Sequence, residues 1–416
     1  MINRAFMKNF LLTVVGLTAC AQLLFAQFAE PAIHQMRVDL VYLASDYLEG
    51  REAGSKGEML AAEYIARRFE EIGLVPKGDN KGWIQVFDFK YNPNPHAATG
   101  GESRQGRNVV GYLDNKAKTT VVIGAHFDHL GKGAFGSRHT GEPAIHNGAD
   151  DNASGVAALL YLAQQLKSSK AKKNNYLFIA FSAEELGLVG SKAYVNGSAF
   201  NAAGINYMLN MDMVGRLNEE SVISVNGAGT SPVWKEILPK ITAGNLNVKT
   251  TDSGIGPSDH TSFYLKDIPA LHFFSGQHTD YHKPEDDAGL INFEGIKRIG
   301  DFMLALVESL DKTGKLAFTK TKDEQEGKQA ARYKVSLGVM PDYVYDGEGM
   351  RIDDVISGRA AETAGLKKGD VIIAIGEVKV SDIYGYMEGL SKFNAGDKTT
   401  VTVKRGEEVV KVEVTF

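Results

Sequence analysis

The sequence predicts an α/β protein with a mostly parallel sheet and helices on both faces, followed by a small β-rich domain. Two observations lead to this fold class. Short apolar runs typical of buried strands alternate with segments of helical period as far as residue 310. Beyond a polar stretch, short strand-like runs follow one another with one helical segment among them. Because alternating strands and helices favour parallel sheets, the first part is predicted to be α/β and the second β-rich.

The elements of the first domain follow from local sequence. Residues 27–54 are predicted to form a helical lead-in, and Ser55 with Glu58 predicts a capping box that starts a helix ending at Gly73. The run 176–181, Tyr-Leu-Phe-Ile-Ala-Phe, is apolar throughout, which predicts a strand buried on both faces. Further strands are predicted at residues 108–113, 119–124, 207–211, 222–225 and 268–274. Further helices are predicted at residues 155–166, 188–195, 233–241 and 293–310.

The length of 416 residues exceeds one ordinary core and predicts two domains. The first is predicted to cover residues 27–311, and the second residues 333–416. Residues 312–332 between them are rich in Lys, Glu, Asp and Gln without apolar periodicity, which predicts a linker. In the second domain, strands are predicted at residues 351–356, 371–375, 399–404 and 409–415, and a helix at 384–392.

The first 26 residues have the pattern of a signal peptide. Arg4 and Lys8 precede the apolar stretch 10–25, and Ala26 is a suitable residue before a cleavage point. The alternative is a lipoprotein signal ending at Cys20, which the apolar residues after that cysteine disfavour. The chain is therefore predicted to be exported to the periplasm or the extracellular space. Since Cys20 is the one cysteine, the mature chain would have no disulfide and no cysteine-ligated metal.

The overall composition excludes some kinds of partner. The net charge of -5, without a basic stripe, gives no reason to expect nucleic acid. No segment of the mature chain is apolar for long enough to form a transmembrane span.

Five segments with potential ligands lie at or just after predicted strands of the first domain. Taken alone, each has an ordinary explanation as a turn or helix cap. The residues that carry the pattern are His126, Asp128, Asp151, Glu184, Glu185, Asp212, Tyr281 and His282. Ligand sites in open α/β sheets lie at the carboxyl ends of the strands, so these side chains are expected to converge.

Six motifs in a constant order resemble the family-28 metallopeptidases, the di-zinc aminopeptidases and their relatives. They read Gly-Ala-His-Phe-Asp, Gly-Ala-Asp-Asp-Asn-Ala-Ser-Gly, Ser-Ala-Glu-Glu-Leu-Gly-Leu-Val-Gly-Ser, Asn-Met-Asp-Met-Val-Gly-Arg, Ser-Asp-His-Thr-Ser-Phe and Asp-Tyr-His-Lys-Pro-Glu-Asp. The resemblance covers roughly residues 40–310 and implies a fold of the zinc exopeptidase type.

The resemblance also implies a metal site. Asp151 would bridge two zinc ions, with His126 and Asp212 completing one site and Glu185 and His282 the other. Cobalt or manganese would suit the same oxygen and nitrogen ligands. Three carboxylates and two imidazoles would offset the charge of two divalent ions.

Three further roles are implied. Asp128 would orient His126 through its second ring nitrogen, and Glu184 would be the general base. Some members place an oxyanion-stabilising Tyr in the loop before Ser-Asp-His, but the loop 253–257 has neither Tyr nor Cys here. Tyr281 is the predicted replacement, with a packed core aromatic as the alternative. Six further residues are expected to have a structural role rather than to line the pocket. They are Asp150, His129, His146, Arg216, Asp259 and His260.

The second domain resembles a PDZ domain. Ser336-Leu-Gly-Val339 stands where that family has its carboxylate-binding loop. The segment 358–376, Gly-Arg-Ala-Ala-Glu-Thr-Ala-Gly-Leu-Lys-Lys-Gly-Asp-Val-Ile-Ile-Ala-Ile-Gly, carries the clearest signature. The resemblance implies binding of a C-terminal peptide or protein segment as an added strand, and the alternative is a packing module that binds nothing.

Together these features predict an exported, zinc-dependent exopeptidase that acts on peptides. An aminopeptidase is preferred over a carboxypeptidase or dipeptidase with the same metal site. A carboxypeptidase would need a basic group for the substrate carboxylate, and Arg216 is the candidate. The rival of a different class is a non-catalytic peptide-binding protein whose working part is the PDZ domain.

Overall fold

The computed structural model describes residues 30–91, 101–321, 335–341, 345, 347–355, 358–381 and 383–416. The predicted signal peptide 1–26, with Cys20, lies outside the described residues, as do residues 322–332 of the predicted linker. The bounds of the domains therefore stay predictions.

A nine-stranded mixed sheet forms the centre of the first domain. Its strands are β1 (Val75–Pro76), β2 (Ile84–Tyr91), β3 (Glu102–Leu113), β4 (Thr119–His126), β5 (Asn174–Phe181), β6 (Ile205–Met211), β7 (Val222–Asn226), β8 (Asn247–Thr251) and β9 (Ala270–Phe274). They lie in the order β1-β3-β5-β4-β6-β9-β7-β8, with β2 also paired to β3. The central strands β5, β4, β6 and β9 are parallel, as are β7 and β8, and the other pairs are antiparallel.

Seven helices accompany this sheet among the described residues. They are α1 (Pro31–Leu43), α2 (Lys56–Ile72), α3 (Gly155–Ser168), α4 (Val189–Asn196), α5 (Pro232–Ile237), α6 (His260–Tyr264) and α7 (Phe293–Leu310). Short 3₁₀ turns cover Asp46–Leu48, Asp79–Lys81, Ala202–Gly204, Leu238–Lys240, Ala243–Asn245 and Ala288–Leu290.

Both faces of the sheet are covered, because successive residues of its strands enter different cores. Val121 and Ile123 of β4 pack with α1, α2, α3 and α7 in the larger core, whereas Val122 packs with α4 and α6 in the smaller one. The alternation follows from the two-residue period of a strand. The predicted α/β fold class is confirmed, with antiparallel strands added at the edges of the parallel centre.

Several local predictions differ from the structure. The hairpin of β2 and the first half of β3 was not predicted, and neither was β8. The helix predicted at 233–241 ends at Ile237, since Pro239 has no backbone N–H to continue it. Only half of the capping box forms. Ser55 accepts the N–H of Glu58, but the buried Glu58 carboxylate instead accepts hydrogen bonds from Arg107 and Ser182.

A second, antiparallel sheet forms the C-terminal part. Its strands are β10 (Val339–Pro341), β11 (Met350–Val355), β12 (Val371–Ile375), β13 (Val378–Lys379), β14 (Lys398–Arg405) and β15 (Glu408–Thr415). The order is β10-β11-β12-β14-β15, with β13 paired to β12, and the helices are α8 (Ala360–Thr363) and α9 (Ile383–Ser391). Its apolar core is separate from those of the first sheet. The predicted β-rich domain is confirmed.

The chain continues along the first domain after α7. Leu316 is buried in the larger core, and Phe318 packs against Tyr264. Within the described ranges, no helix is both long and apolar enough to span a membrane.

Candidate metal centre

The predicted ligands converge at the carboxyl edge of the parallel strands. His126 is the last residue of β4, and Asp212 directly follows β6. Glu184 and Glu185 follow β5 by a short turn, and Asp151 lies in the irregular helical turn Ala149–Ser154 that leads into α3. The parallel centre of the sheet thus brings together segments that are far apart in sequence.

The first group of potential metal ligands contains His126, Asp151 and Asp212. The Nε2 atom of His126 lies 3.2 Å from Oδ1 of Asp151 and 3.3 Å from Oδ1 of Asp212. One ligand atom of each residue lies within 4.8 Å of the others, which is close enough for all three to hold one ion. This is the set that the sequence predicts for one metal.

The second group lies on the other side of Asp151. Nε2 of His282 is 3.2 Å from Oδ2 of Asp151 and 3.2 Å from Oε2 of Glu185. A further imidazole joins them, because Nδ1 of His129 lies 2.8 Å from Oε1 of Glu185 and 3.9 Å from Oδ2 of Asp151. The structure therefore gathers all five predicted ligands and adds His129, for which the sequence favoured a structural role. Asp151 directs one oxygen to each group, as a bridging ligand must.

Asp128 is fully buried and holds the turn that carries Glu184 and Glu185. Its Oδ1 accepts the backbone N–H of Glu184 at 3.0 Å, and its Oδ2 that of Glu185 at 3.4 Å. The Nδ1 atom of His126 is 3.2 Å from the backbone carbonyl of Asp128 and 3.6 Å from its Oδ1. A proton on Nδ1 leaves the lone pair of Nε2 free to bind a metal ion together with the carboxylates.

The electrostatics of the centre favour positive charge. Burial lowers the pKa of His282, but Glu185 and Asp151 more than offset this and raise it to about 10. Burial raises the pKa of Glu184 well above its ordinary value, and Asp212 adds to that shift. Carboxylates crowded this closely and away from water need compensating cations. The donor set, of oxygen and imidazole nitrogen, therefore fits divalent metal ions.

Two buried residues that the sequence did not single out hold the loop of Asp151. Asp286 accepts the backbone N–H groups of Asp150 and Asp151, each 3.0 Å from its Oδ2. The guanidinium of Arg51 donates to the backbone carbonyls of residues 43, 127, 147 and 148. Asp286 ends the motif Asp-Tyr-His-Lys-Pro-Glu-Asp, but the sequence does not show the contacts of either residue, because their partners lie far away along the chain.

An open pocket with about 520 Å³ of empty space begins at the metal centre. Glu184 and Tyr281 line it beside the ligands, and the Tyr281 ring stacks on His282 with 3.8 Å between centroids. The other lining residues, which we call the wall, were given no role in the sequence analysis; they are Met213, Asn226, Pro257, His272, Phe274 and Gln277.

The other residues considered for the pocket lie elsewhere. Arg216 donates to Asp280 at 2.8 Å, outside the pocket. Asp150 lies 3.2 Å from Nε2 of His278, and His146 bonds Ser137. Asp259 and His260 are fully buried, and neither lines the pocket. For these five residues the structure agrees with the structural role that the sequence favoured.

Family comparisons agree with this arrangement. Residues 108–307 match the model of peptidase family M28. This region belongs to peptidase family M28. Residues 318–416 match the model of a PDZ domain. The M28 region contains every predicted ligand, and the PDZ match contains the second sheet.

Two curated proteins are similar to part of this chain. Aminopeptidase YwaD of Bacillus subtilis is 33% identical over 200 residues, which are 45% of this chain and 40% of that protein. Leupeptin-inactivating enzyme 1 of Streptomyces exfoliatus is 34% identical over 169 residues, which are 40% of this chain and 34% of that protein. The chain thus spans less than half the length of either.

Solved structures share the fold of the M28 region. One is BSAP, a zinc aminopeptidase from Bacillus subtilis, with a TM-score of 0.54 at 19% identity over 68% of this chain and 98% of that chain. Another is the Legionella pneumophila LapA aminopeptidase, with a TM-score of 0.51 at 22% identity over 67% of this chain and 70% of that chain.

Proposed function

We propose that this protein is a zinc-dependent aminopeptidase that removes N-terminal residues from peptides. The observation that carries the proposal is the set of ionisable side chains that line the pocket. Asp151, Glu184, Glu185 and Asp212 line it, and no Lys or Arg does so among the described residues. Once divalent ions offset the charge of the ligands, Glu184 remains to receive the free α-amino group of a peptide, and no basic side chain is present to receive its carboxylate.

The same observation argues against a carboxypeptidase. In the sequence prediction, Arg216 is the candidate basic side chain that would bind the substrate carboxylate of a carboxypeptidase. It donates to Asp280 at 2.8 Å and lies 3.8 Å from Asp286, outside the pocket lining. A guanidinium already paired in this way is poorly placed to clamp a substrate.

We assign two zinc ions to the centre. His126, Asp151 and Asp212 would hold one, and Asp151, Glu185 and His282 the other, with His129 beside them. Bound divalent ions polarise a peptide carbonyl and make a bound water acidic near neutral pH.

Glu184 is the proposed general base. Its side chain faces the pocket, and it belongs to neither group of ligands. Its raised pKa, caused first by burial, means that it readily holds a proton. Glu184 takes the proton of the attacking water and delivers it to the leaving amine.

Tyr281 is proposed to stabilise the oxyanion, because its side chain lines the pocket beside His282. Asp212 and Glu184 would receive the α-amino group of the substrate.

The variant Tyr281→Phe tests whether Tyr281 stabilises the oxyanion. We expect kcat to fall at least tenfold while zinc content stays the same, and an unchanged kcat would make Tyr281 a packing residue.

Glu184→Gln tests the mechanism. We expect hydrolysis of aminoacyl-coumarin amides to fall about 10²- to 10⁴-fold, as removal of a general base does. Zinc binding, measured by calorimetry, should persist because Glu184 is not a ligand. Glu220→Gln, at an exposed glutamate, is the matched control and should leave activity intact. Undiminished hydrolysis by Glu184→Gln would contradict the mechanism.

A companion assay tests which end of the peptide is cut. Free and N-acetylated peptides are compared with C-terminally amidated ones, with and without chelator. An aminopeptidase loses activity on the acetylated peptides and keeps it on the amidated ones. If the protein hydrolyses no peptide in a metal-dependent way, the rival function as a PDZ peptide-binding protein is favoured.

The PDZ domain is proposed to bind C-terminal segments of peptides or proteins. Strand β10 lies at the edge of the second sheet and pairs with β11 in the described part of the chain. An edge strand with a free side can accept an added strand. Fluorescence anisotropy with peptides bearing free or amidated C-termini tests this, and equal binding of both forms would contradict it.

We also propose export, on the basis of the signal-like residues 1–26. Fractionation of cells that produce the full chain tests it. Retention of the uncleaved chain in the cytoplasm would contradict it.

A further inference from the structure

A row of polar side chains crosses the sheet beside the metal centre. In the strand register, Asn210 of β6 is opposite His272 of β9, His272 is opposite Asn226 of β7, and Asn226 is opposite Thr251 of β8. Residues opposite each other point to the same face of a sheet and lie close together. Of this row, Asn226 and His272 line the pocket that begins at the proposed zinc site.

The amide of Asn226 has a fixed orientation. Its Oδ1 accepts hydrogen bonds from Ser224 Oγ at 3.0 Å and from Thr251 Oγ1 at 2.8 Å. The Nδ2 group therefore lies on the opposite side of the amide, and no acceptor for it occurs in the described part of the chain. Asn226 thus presents an unused hydrogen-bond donor.

His272 presents a second donor. Its Nδ1 lies 3.4 Å from Nδ2 of Asn210, and because an amide nitrogen only donates, Nδ1 is the acceptor and the ring proton is on Nε2. Nε2 has no protein partner among the residues described. The ring is held between His260 and Phe274, with centroid distances of 4.7 and 6.1 Å. Burial lowers its pKa to about 4, so the imidazole is neutral at physiological pH.

Gln277 supplies an acceptor on the same wall. Its Oε1 is buried and has no hydrogen-bond partner among the described residues. Met213, Pro257 and Phe274 add apolar surface beside it. The wall therefore combines two donors, one acceptor and an apolar surface, without a charged group.

We propose that this wall receives the side chain of the substrate's N-terminal residue and selects a primary amide, that of glutamine or asparagine. The inference rests on the proposed aminopeptidase function. A primary amide offers one carbonyl oxygen to Asn226 and His272 and one NH₂ group to Gln277, while its methylene groups contact the apolar residues. An apolar side chain of equal length leaves these groups desolvated without partners, which costs binding free energy.

Acidic side chains are disfavoured in the same pocket. A glutamate side chain would find no basic side chain there, and it would approach the carboxylates of Glu184 and Asp212. Selectivity for a neutral, polar side chain over an acidic one is therefore expected.

Aminomethylcoumarin amides of Gln, Met and Glu test the proposal, because the three side chains have nearly equal length. We expect kcat/KM for the Gln substrate to exceed that for Met and that for Glu by at least tenfold. Equal or better cleavage of the Met substrate would overturn the selectivity but not the aminopeptidase function.

Two variants locate the selectivity in the wall. Asn226→Leu and Gln277→Leu should each lower the Gln-to-Met ratio of kcat/KM at least fivefold. Because Oε1 of Gln277 has no hydrogen-bond partner among the described residues, the replacement of Gln277 is expected to leave folding intact. Asn247→Leu, the same change at the exposed start of β8, is the control and should keep the wild-type ratio. An unchanged ratio in both wall variants would overturn the proposal.

A binding experiment distinguishes a failure of this selectivity from a failure of the proposed aminopeptidase function. If no aminoacyl substrate is cleaved, the aminopeptidase function fails, and calorimetry with free L-glutamine and L-methionine on the zinc-loaded protein then tests the wall alone. Tighter binding of glutamine, lost in Gln277→Leu, would support the selectivity. Equal affinities would overturn it.

Discussion

Asp286 holds the backbone of Asp151 in place, with 3.0 Å between its Oδ2 and the Asp151 nitrogen. The same carboxylate oxygen accepts the N–H of Asp150, also at 3.0 Å. Asp286 is buried, and Arg216 and His278 lie 3.8 and 4.0 Å from its Oδ1. A residue outside the pocket lining thus fixes the loop that carries the proposed bridging ligand.

Asp286→Ala is expected to weaken zinc binding about 10- to 100-fold, the usual effect of removing a group that orients a metal ligand. Competition with a coloured chelator measures this affinity. Asp287→Ala changes a neighbouring, exposed aspartate and should leave zinc affinity unchanged. Equal affinities in the two variants would show that the loop of Asp151 keeps its shape without Asp286.

The number of zinc ions can be read from two ligand variants. Asp151 directs one oxygen to each group of ligands, whereas Asp212 belongs to the first group alone. Asp212→Ala is therefore expected to retain one tightly bound ion, and Asp151→Ala to lose both. Elemental analysis of dialysed protein measures the stoichiometry. One retained ion in Asp151→Ala would contradict the bridging role.

Much of the fold could be predicted because local and global preferences agree. Strand β5 is apolar on both faces, as a central strand must be, and helix α2 begins after Ser55 and ends before Gly73, as predicted. Strands β2 and β8 escaped prediction because they are partly exposed and contain polar residues. Their pairing depends on neighbours that no local pattern reveals.

Some residues of the candidate site could likewise be predicted from the sequence, and others could not. His126 and Asp212 were predicted to lie close together because they follow predicted strands, and the structure brings them together. Their roles as ligands were implied by the resemblance to the family. Asn226 and Gln277 were missed because they carry no ligand-like pattern and reach the pocket only through the strand register and a loop. Their proposed role depends on which of their polar atoms are already paired, which a sequence does not show.

His129 is the clearest addition to the predicted site. Its Nδ1 lies 2.8 Å from Oε1 of Glu185, and its ring is buried. His129→Ala is expected to weaken binding of the proposed second zinc ion about 10- to 100-fold, because Glu185 loses the group that orients it. Calorimetric titration with zinc should show one weakened site and one unchanged site. His139→Ala, at a partly exposed histidine, should leave both sites unchanged.

The buried imidazole of His272 predicts a pH dependence of stability. Burial lowers its folded-state pKa from 6.5 to about 4, so below pH 6.5 the unfolded chain binds a proton that the folded protein does not. The free energy of unfolding should therefore fall by about 3 kcal/mol between pH 6.5 and 4 on account of this residue, and level off below that range.

His272→Phe measures that contribution, because it keeps an aromatic ring between His260 and Phe274 but removes the proton site. Urea denaturation at several pH values between 4 and 7, with chelator present so that metal release does not contribute, gives the free energy of unfolding. The variant should lose stability less steeply with falling pH than the wild type. His34→Phe, at an exposed histidine, should follow the wild-type slope. Identical slopes for His272→Phe and wild type would mean that His272 protonates equally well in the folded protein.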